Sequence, residues 1–370
     1  MAFMKIIVLC AAIVGLASGC GKSNDVSTTQ MGGAIQGKAL SLTGSVSTLA
    51  GSAGTAGSVD DIGASARFNE LGGITTDGQN LYVADSVNST IRKVNIATGT
   101  VTTLAGTAGA IGYIDGVGAA ARFDRPADIT TDGSNLYVTD ANNRVIRKVV
   151  IATGAVSTLA GTAGNIGSAD GIGGSASFFM PLGITTDGTN LYITDIGNET
   201  IRKVEIASGV VTTIAGTAGI MGSSDGSGGA ARFLSLHYIT TDGTNAYVTD
   251  GRTIRKVVLT TGNVTTLAGL QNRTSLDPTG SVDGVGASAS FEFPAGITTD
   301  GSNLYVLDTA SDVSVSVRKI NISTGGVSSL TLSPGLADAS KGLAKGAGIT
   351  TDGKSLYASD LSMSKICKIQ

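Results

Sequence analysis

The sequence predicts an all-β fold, namely a six-bladed β-propeller with four antiparallel strands in each blade. The string Ile-Thr-Thr-Asp-Gly occurs six times, at steps of 55, 55, 55, 58 and 52 residues. Repeats of four short strands are typical of propeller blades. The 54 glycines and the 4% aromatic content also favour many short strands joined by tight turns. The six copies begin at Ile74, Ile129, Ile184, Ile239, Ile297 and Ile349.

Residues 1–19 have the pattern of an export signal peptide, because the apolar run Ile6–Leu16 is too short to span a bilayer. The small residues after it lead into Cys20 and resemble a bacterial lipobox, which implies that Cys20 is lipidated. The alternative is ordinary cleavage that leaves a free thiol. By resemblance to such lipoproteins, Gly21 favours the outer membrane, on its periplasmic side or at the cell surface. Residues 20–44 are then a lipidated N-terminus and a flexible tether.

Each repeat contains four short apolar-polar runs, which begin in the first complete repeat at Ile74, Leu81, Ile91 and Val101. Asp-Gly and Thr-Gly pairs lie between the first two and the last two runs, where glycine supplies the positive φ that a hairpin needs. The runs therefore predict two hairpins per blade.

The two ends of the repeat region complement each other. A spare fourth strand comes first, at about residues 45–50, and the final repeat stops after its third strand, Lys365–Ile369. Pairing these strands would close the ring without an unpaired edge. The predicted propeller domain is therefore residues 45–370.

The third repeat carries a recognisable motif in Pro181–Ile184, Leu191–Asp195, Ile201–Lys203 and Val211–Gly216. These residues resemble the NHL repeat, and the resemblance extends over roughly residues 45–370. It implies a propeller. It does not select a function, since similar domains include extracellular scaffolds, RNA-binding domains and a few lyases.

Connection lengths vary on one face of the predicted propeller only. The turns between the first and second strands and between the third and fourth strands keep a constant length, whereas the other connections, which lie on the face called the top, differ between blades. Such variation favours a binding face, although neutral drift in solvent loops is an alternative. The predicted recognition patch at the channel mouth is Asp128, His237, Tyr238 and Arg252. The alternative is that Tyr238 packs into the glycine-rich channel while Asp128 pairs with Arg125.

An aspartate recurs in the connections between blades, eight residues before a phenylalanine such as Phe123. Calcium ligands are one interpretation, with Asp115, Asp170, Asp225 and Asp283 as candidates. Each loop offers one carboxylate, however, and calcium takes about 6–8 oxygen ligands. We therefore expect a turn and a cap on a short helical segment, with the phenylalanine packed between blades.

Charged residues recur at two further positions of the repeat. An aspartate such as Asp85 ends every second strand, and we expect it to accept backbone N–H groups from the next loop. Arg-Lys pairs such as Arg92-Lys93 on the third strands are interpreted as surface charge that is salt-bridged or snorkelled and balanced by the aspartates. Cys367 takes the arginine position in the last blade, where we expect a buried thiol.

Nucleophile and zinc-binding motifs of hydrolases do not occur in the sequence, and a net charge of −3 argues against nucleic-acid binding. We therefore expect no cofactor and a monomeric, envelope-anchored scaffold. It would contact the membrane through its lipid anchor only and bind a protein or a surface polysaccharide through its top face. Two alternatives are a metal-dependent hydrolase or lyase in the central channel and a purely structural envelope protein.

Overall fold

Six antiparallel sheets form the molecule and confirm the predicted six-bladed β-propeller. The computed structural model describes residues 39–271, 280–309, 315–332, 348–360 and 364–370. Within these ranges the first strand is β1 (Val46–Gly51), and blade one contains β2 (Leu71–Thr76), β3 (Asn80–Asp85), β4 (Thr90–Asn95) and β5 (Val101–Ala105).

Blades two to four each contain one very short strand followed by four longer ones. Blade two has β6 (Gly116–Val117), β7 (Pro126–Thr131), β8 (Asn135–Asp140), β9 (Val145–Val150) and β10 (Ala155–Ala160). Blade three has β11 (Gly171–Ile172), β12 (Pro181–Thr186), β13 (Asn190–Asp195), β14 (Thr200–Glu205) and β15 (Val210–Ala215). Blade four has β16 (Gly226–Ser227), β17 (Leu236–Thr241), β18 (Asn245–Asp250), β19 (Thr253–Val258) and β20 (Asn263–Ala268).

The last two blades complete the ring. Blade five has β21 (Gly284–Val285), β22 (Pro294–Thr299), β23 (Asn303–Thr309), β24 (Val315–Asn321) and β25 (Gly326–Ser329), and blade six has β26 (Ile349–Thr351), β27 (Leu356–Asp360) and β28 (Lys365–Ile369). Short 3-10 helices occupy the connections at Gly63–Ser65, Gly118–Ala120, Gly173–Ser175, Gly228–Ala230 and Gly286–Ser288.

The two-residue strands β6, β11, β16 and β21 add a fifth, outermost strand to blades two to five, where the sequence predicts four. In blade two, Gly116 and Val117 pair with the start of β10. Two residues are too few to produce an alternating pattern, so hydrophobic periodicity could not predict this strand.

Ring closure occurs as predicted, since β1 pairs antiparallel with β28 from Val46–Ile369 to Gly51–Lys365. The residues just before β1 are also packed. Leu40 is buried between blades five and six, and its N–H donates to the carboxylate of Asp300 at 3.0 Å. Packing in the described chain therefore begins at Leu40, within the segment that the sequence predicts as a flexible tether.

Each interface between blades contains its own apolar core. Between blades one and two, Tyr82, Phe123 and Ile129 lie in one buried cluster. The Tyr82 hydroxyl donates to Asp77 in the first hairpin turn at 2.8 Å. Phe123 is fully buried, as predicted for a residue packed between blades. The described part of the chain has no helix that is long and apolar enough to cross a membrane.

The predicted surface location of the third-strand arginines is wrong. Arg147 on β9 is fully buried and forms ion pairs with Asp140 at 2.8 Å and with Asp115 at 2.7 Å. It also lies over the Phe123 ring, 5.0 Å from the centroid. Neighbouring Lys148 remains partly exposed. Four other arginines repeat the arrangement: Arg92, Arg202, Arg255 and Arg318.

This arrangement corrects the predicted role of the aspartates in the connections between blades. Asp115 does not cap the 3-10 helix that follows, because that helix has no side-chain cap. Its carboxylate instead binds Arg147 and accepts the backbone and hydroxyl hydrogens of Thr158. The other calcium candidates, Asp170, Asp225 and Asp283, bind the arginine of their own blade in the same way. The described residues contain no cluster of three metal-ligating side chains.

Candidate functional site

The innermost strands surround a central channel with a cavity of about 70 Å³. The Ile and Thr of each Ile-Thr-Thr-Asp-Gly string line it, together with Asp128, Tyr238 and Gly348. Among the described residues, Asp128 supplies the channel's single carboxylate. The lining is therefore nearly sixfold symmetric, and two side chains break the symmetry.

Asp128 is held by backbone groups of two blades. Its Oδ1 accepts the N–H of Ile129 at 2.8 Å, and its Oδ2 accepts the N–H of Ile184 in blade three at 2.9 Å. Burial raises the pKa of Asp128 to about 7, although these hydrogen bonds oppose the rise. Gly73 makes room for this side chain, because a Cβ there would lie 1.6 Å from Asp128 Oδ1.

The pairing of Asp128 with Arg125, which the alternative interpretation of the patch contained, does not occur. Arg125 forms its ion pair with Glu70 of blade one at 2.8 Å, and both side chains are about half exposed on the top face. Asp128 faces the channel at the third residue of β7, whereas Arg125 precedes that strand.

Tyr238 packs inside the channel, as the alternative interpretation of the patch expected. It is buried in the cluster between blades four and five, and its N–H donates to Thr249 Oγ1 at 3.0 Å. Burial, assisted by the nearby charge of Asp128, raises the pKa of the Tyr238 hydroxyl. The phenol is therefore neutral across the physiological pH range.

The other two residues of the predicted patch lie closer to the top surface. His237 is partly buried, and burial lowers its pKa although Asp250 opposes the shift. Arg252 forms an ion pair with Glu292 at 3.3 Å and lies over the ring of Phe293, 5.8 Å from the centroid. The structure thus separates the predicted patch into a channel pair, Asp128 and Tyr238, and an upper pair, His237 and Arg252.

Sequence reasoning missed a set of exposed apolar side chains on the top face. They lie one or two residues before the innermost strands of blades three to five, and 38–51% of each residue's surface is exposed. We call this set the apolar arc; it consists of Phe179, Met180, Leu234 and Phe293. A possible signal was the doubled aromatic at Phe178-Phe179, since one buried ring suffices between two blades.

The corresponding positions in blades one and two are polar. They are Asn69 and Glu70 in blade one and Asp124 and Arg125 in blade two. Glu70 and Arg125 adopt the left-handed conformation, with φ of 53° and 52°. In the five blades where these positions are described, they are therefore polar in blades one and two and include large apolar side chains in blades three to five.

Backbone hydrogen bonds hold the apolar arc in place. Asp195 Oδ1 accepts the N–H groups of Phe179 and Met180 at 3.1 and 3.0 Å. Asp195 thus accepts backbone N–H groups, but from the connection that precedes the first strand and not from the next loop as predicted; the next loop donates the side-chain amide of Asn198. Gly197 lets the Phe179 ring lie against the loop, since a Cβ at Gly197 would approach the ring to 2.4 Å. Two other aspartates also accept the N–H groups of two consecutive residues. Asp250 accepts those of Leu234 and Ser235, and Asp308 accepts those of Glu292 and Phe293.

Comparisons with known proteins agree with this architecture. No family model matches the chain. The chain is 36% identical over 143 residues, 36% of its length, to NHL repeat-containing protein 2 of Bos taurus. It is 34% identical over 143 residues, again 36% of the chain, to SUPPRESSOR OF QUENCHING 1, chloroplastic, of Arabidopsis thaliana. The matches span 20% and 13% of those relatives' own lengths.

Solved structures share the fold. A protein of unknown function from Bacteroides thetaiotaomicron superposes with a TM-score of 0.61 at 19% identity, over 88% of this chain and 75% of that one. An auxiliary nutrient binding protein from the same species gives a TM-score of 0.60 at 14% identity, over 88% and 76%. The chain is therefore a six-bladed β-propeller whose repeats are similar to those of NHL repeat-containing proteins.

Proposed function

We propose that this propeller is an interaction scaffold that binds another protein through the apolar arc on its top face. One observation carries the proposal: four large apolar side chains are exposed at the two positions that precede the innermost strands of three consecutive blades. Exposed apolar groups that share one surface mark interaction sites more often than scattered ones do. The buried aspartates beneath the arc fix its backbone, so little ordering would be needed on binding.

The chemistry of the arc favours a protein over a polysaccharide. Phenylalanine and methionine are enriched in protein interfaces, as is arginine, which Arg252 provides beside Phe293. A polysaccharide presents many hydroxyl groups that require polar partners, and the arc itself offers none. The similar Bacteroides fold of an auxiliary nutrient binding protein is compatible with a binding role for such a propeller.

The position of the N-terminal segment suits an anchored scaffold. Leu40 contacts Asp300 in the turn between β22 and β23, on the face opposite the arc. If Cys20 is lipidated, as its sequence context predicts, the membrane lies on the side of that face and the apolar arc points away from it. Export and anchoring, at the outer membrane, are part of this proposal. Cys20 itself lies outside the described residues.

A capture experiment tests the proposed function. The bait is residues 21–370 with a purification tag in place of the lipid, exposed to a cell-envelope extract under cross-linking conditions. The test variant combines Phe179→Ser, Leu234→Ser and Phe293→Ser. The matched control combines Val117→Ser, Ile172→Ser and Val285→Ser, which removes side chains that are 61–64% exposed on the outermost strands.

We call the test variant the arc variant and the matched control the outer-strand control. We expect the wild-type and the outer-strand control to capture the same protein equally well. The arc variant should fail to capture it. Capture that survives in the arc variant would contradict the assignment of the site. Loss in both variants would indicate a general effect of apolar surface. Circular dichroism of each bait verifies that all three are folded.

A further inference from the structure

Arg252 occupies a loop that differs from its counterparts. Two residues separate β18 from β19, whereas four separate the corresponding strands of blades one to three. In those blades the loop holds an asparagine, for example Asn143, which donates to the strand-ending aspartate Asp140 and to a carbonyl of the preceding connection. The shortened loop lacks this asparagine. Arg252 instead extends toward blade five, where it reaches Glu292.

The Arg252 guanidinium retains donor capacity. Within the described ranges its one ion pair is the 3.3 Å contact from Nη2 to Glu292 Oε1, and 39% of its side chain is exposed. Glu292 is only 10% exposed, and its Oε2 also accepts the N–H of Gly280 at 2.9 Å. A guanidinium has five N–H donors, so several of those on Arg252 face solvent.

Apolar groups border Arg252 on both sides. Phe293 lies beneath its guanidinium, and Leu234 lies beside Gly251, where a Cβ would be 3.7 Å from Leu234 Cδ2. Among the described residues nearby, His237 is the other side chain able to carry positive charge, and burial favours its neutral form. One cation between two apolar side chains matches a single negative charge placed between apolar groups.

We propose that Arg252 binds a carboxylate of the partner protein, on an acidic residue flanked by apolar residues that contact Leu234 and Phe293. This inference rests on the proposed function of the arc and adds the chemistry of the recognised segment. A carboxylate fits better than a phosphate, because a phosphate dianion would meet one cation and the nearby carboxylate of Glu292. Glu292 is nearly buried and contacts Arg252 through Nη2 only, so the other guanidinium donors are available to the partner.

Selection from a displayed random peptide library tests the inference. The baits are the wild-type chain, Arg252→Gln, Arg252→Glu, the arc variant and the outer-strand control. We expect the wild-type to enrich peptides with Asp or Glu between apolar residues and Arg252→Glu to enrich Lys or Arg at that position. Replacing the acidic residue of a selected peptide by its amide should weaken binding to the wild-type by about 2- to 5-fold, as for a partly exposed ion pair. The same replacement should leave binding to Arg252→Gln unchanged.

The outcomes distinguish this inference from the proposal on which it rests. Selected peptides that need the arc but show no acidic preference would overturn the role of Arg252 alone. Peptides that bind the arc variant as tightly as the wild-type would contradict the arc itself. Failure of the wild-type to select any peptide would count against both.

Discussion

At the scale of single residues, five buried arginines on the third strands each form two ion pairs. One is with the aspartate that ends the second strand, and the other is with an aspartate in the connection between blades. Arg147 is an example, since it forms an ion pair with Asp140 in which both side chains are fully buried. It also donates to the carbonyls of Arg122 and Ile114. A buried carboxylate that loses its cation keeps the full cost of desolvation.

We predict that Arg147→Ala lowers the free energy of unfolding by about 3–5 kcal/mol, because it leaves Asp140 buried without its cation. Lys148 is adjacent and partly exposed, so Lys148→Ala should change the free energy of unfolding by no more than about 0.5 kcal/mol. Urea unfolding of both variants measures the difference. Equal losses would mean that the buried ion pairs contribute little.

Asp128 differs from these aspartates because backbone N–H groups, without a cation, hold its carboxylate. Burial raises its pKa in the folded state to about 7, above the value of an unfolded chain. The protonated form is therefore favoured by folding. Its stabilising contribution is complete below the unfolded pKa and is lost as pH rises toward 7.

We predict that Asp128→Asn flattens the dependence of stability on pH between about 4 and 7. An amide accepts fewer hydrogen bonds than a carboxylate, so the variant should also lose some unfolding free energy by an amount that does not depend on pH. The unfolding free energy at several pH values separates the two effects, since only the slope reports titration. An unchanged slope would show that Asp128 does not titrate in this range.

At the scale of elements, the connections between blades contribute both to the apolar core and to the top surface, and adjacent residues make these two contributions. Phe178 is fully buried between blades two and three, whereas Phe179 is 38% exposed on the top face. The aromatic pair therefore joins the core of the propeller to its proposed binding surface.

Substituting the two phenylalanines separately should distinguish these contributions. Phe178→Ala should cost about 3–5 kcal/mol of unfolding free energy, because it opens a cavity between blades. Phe179→Ala should cost less than about 1 kcal/mol, as expected for an exposed residue, and should weaken partner capture. Calorimetry and the capture assay together measure both effects. A large stability loss from Phe179→Ala would contradict a binding role for that ring.

The same elements show how far sequence reasoning reaches. The six repeats predicted the blades, the hairpins and the buried phenylalanines such as Phe123, because each depends on local periodicity and turn chemistry. The burial of Arg147 could not be predicted, since its partner Asp115 lies 32 positions away on a connection whose path is set by packing. The apolar arc was missed for a similar reason. Phe179 and Phe293 become neighbouring features of one face only when the blades are arranged in a ring.

At the scale of the whole molecule, stability depends on a ring that the two chain ends close. β1 completes blade six, and Leu40 fills the core between blades five and six. This interface also has Cys367 at the position where other blades have arginine. The buried Cys367 thiol has a pKa raised to about 11, chiefly by burial, and it packs as an apolar group.

We predict that deleting residues 1–38 leaves the thermal unfolding midpoint unchanged, because every described contact of the N-terminal segment is kept. Deleting residues 1–51 should lower the midpoint and promote oligomers, since it exposes the edge of β28. Differential scanning calorimetry and size-exclusion chromatography compare the two truncations. A monomeric protein of full stability without β1 would show that the closure is dispensable.

The most direct test of the scaffold function is photo-cross-linking from defined positions in cells that make the full-length chain. A photoreactive phenylalanine analogue is placed at Phe179, at Phe293 and, as a control, at Ile172 on the outermost strand of blade three, which is more exposed than either. The proposed site predicts one shared protein adduct at the first two positions and its absence at the third. An adduct formed equally from Ile172, or no protein adduct from either arc position, would contradict binding through the apolar arc.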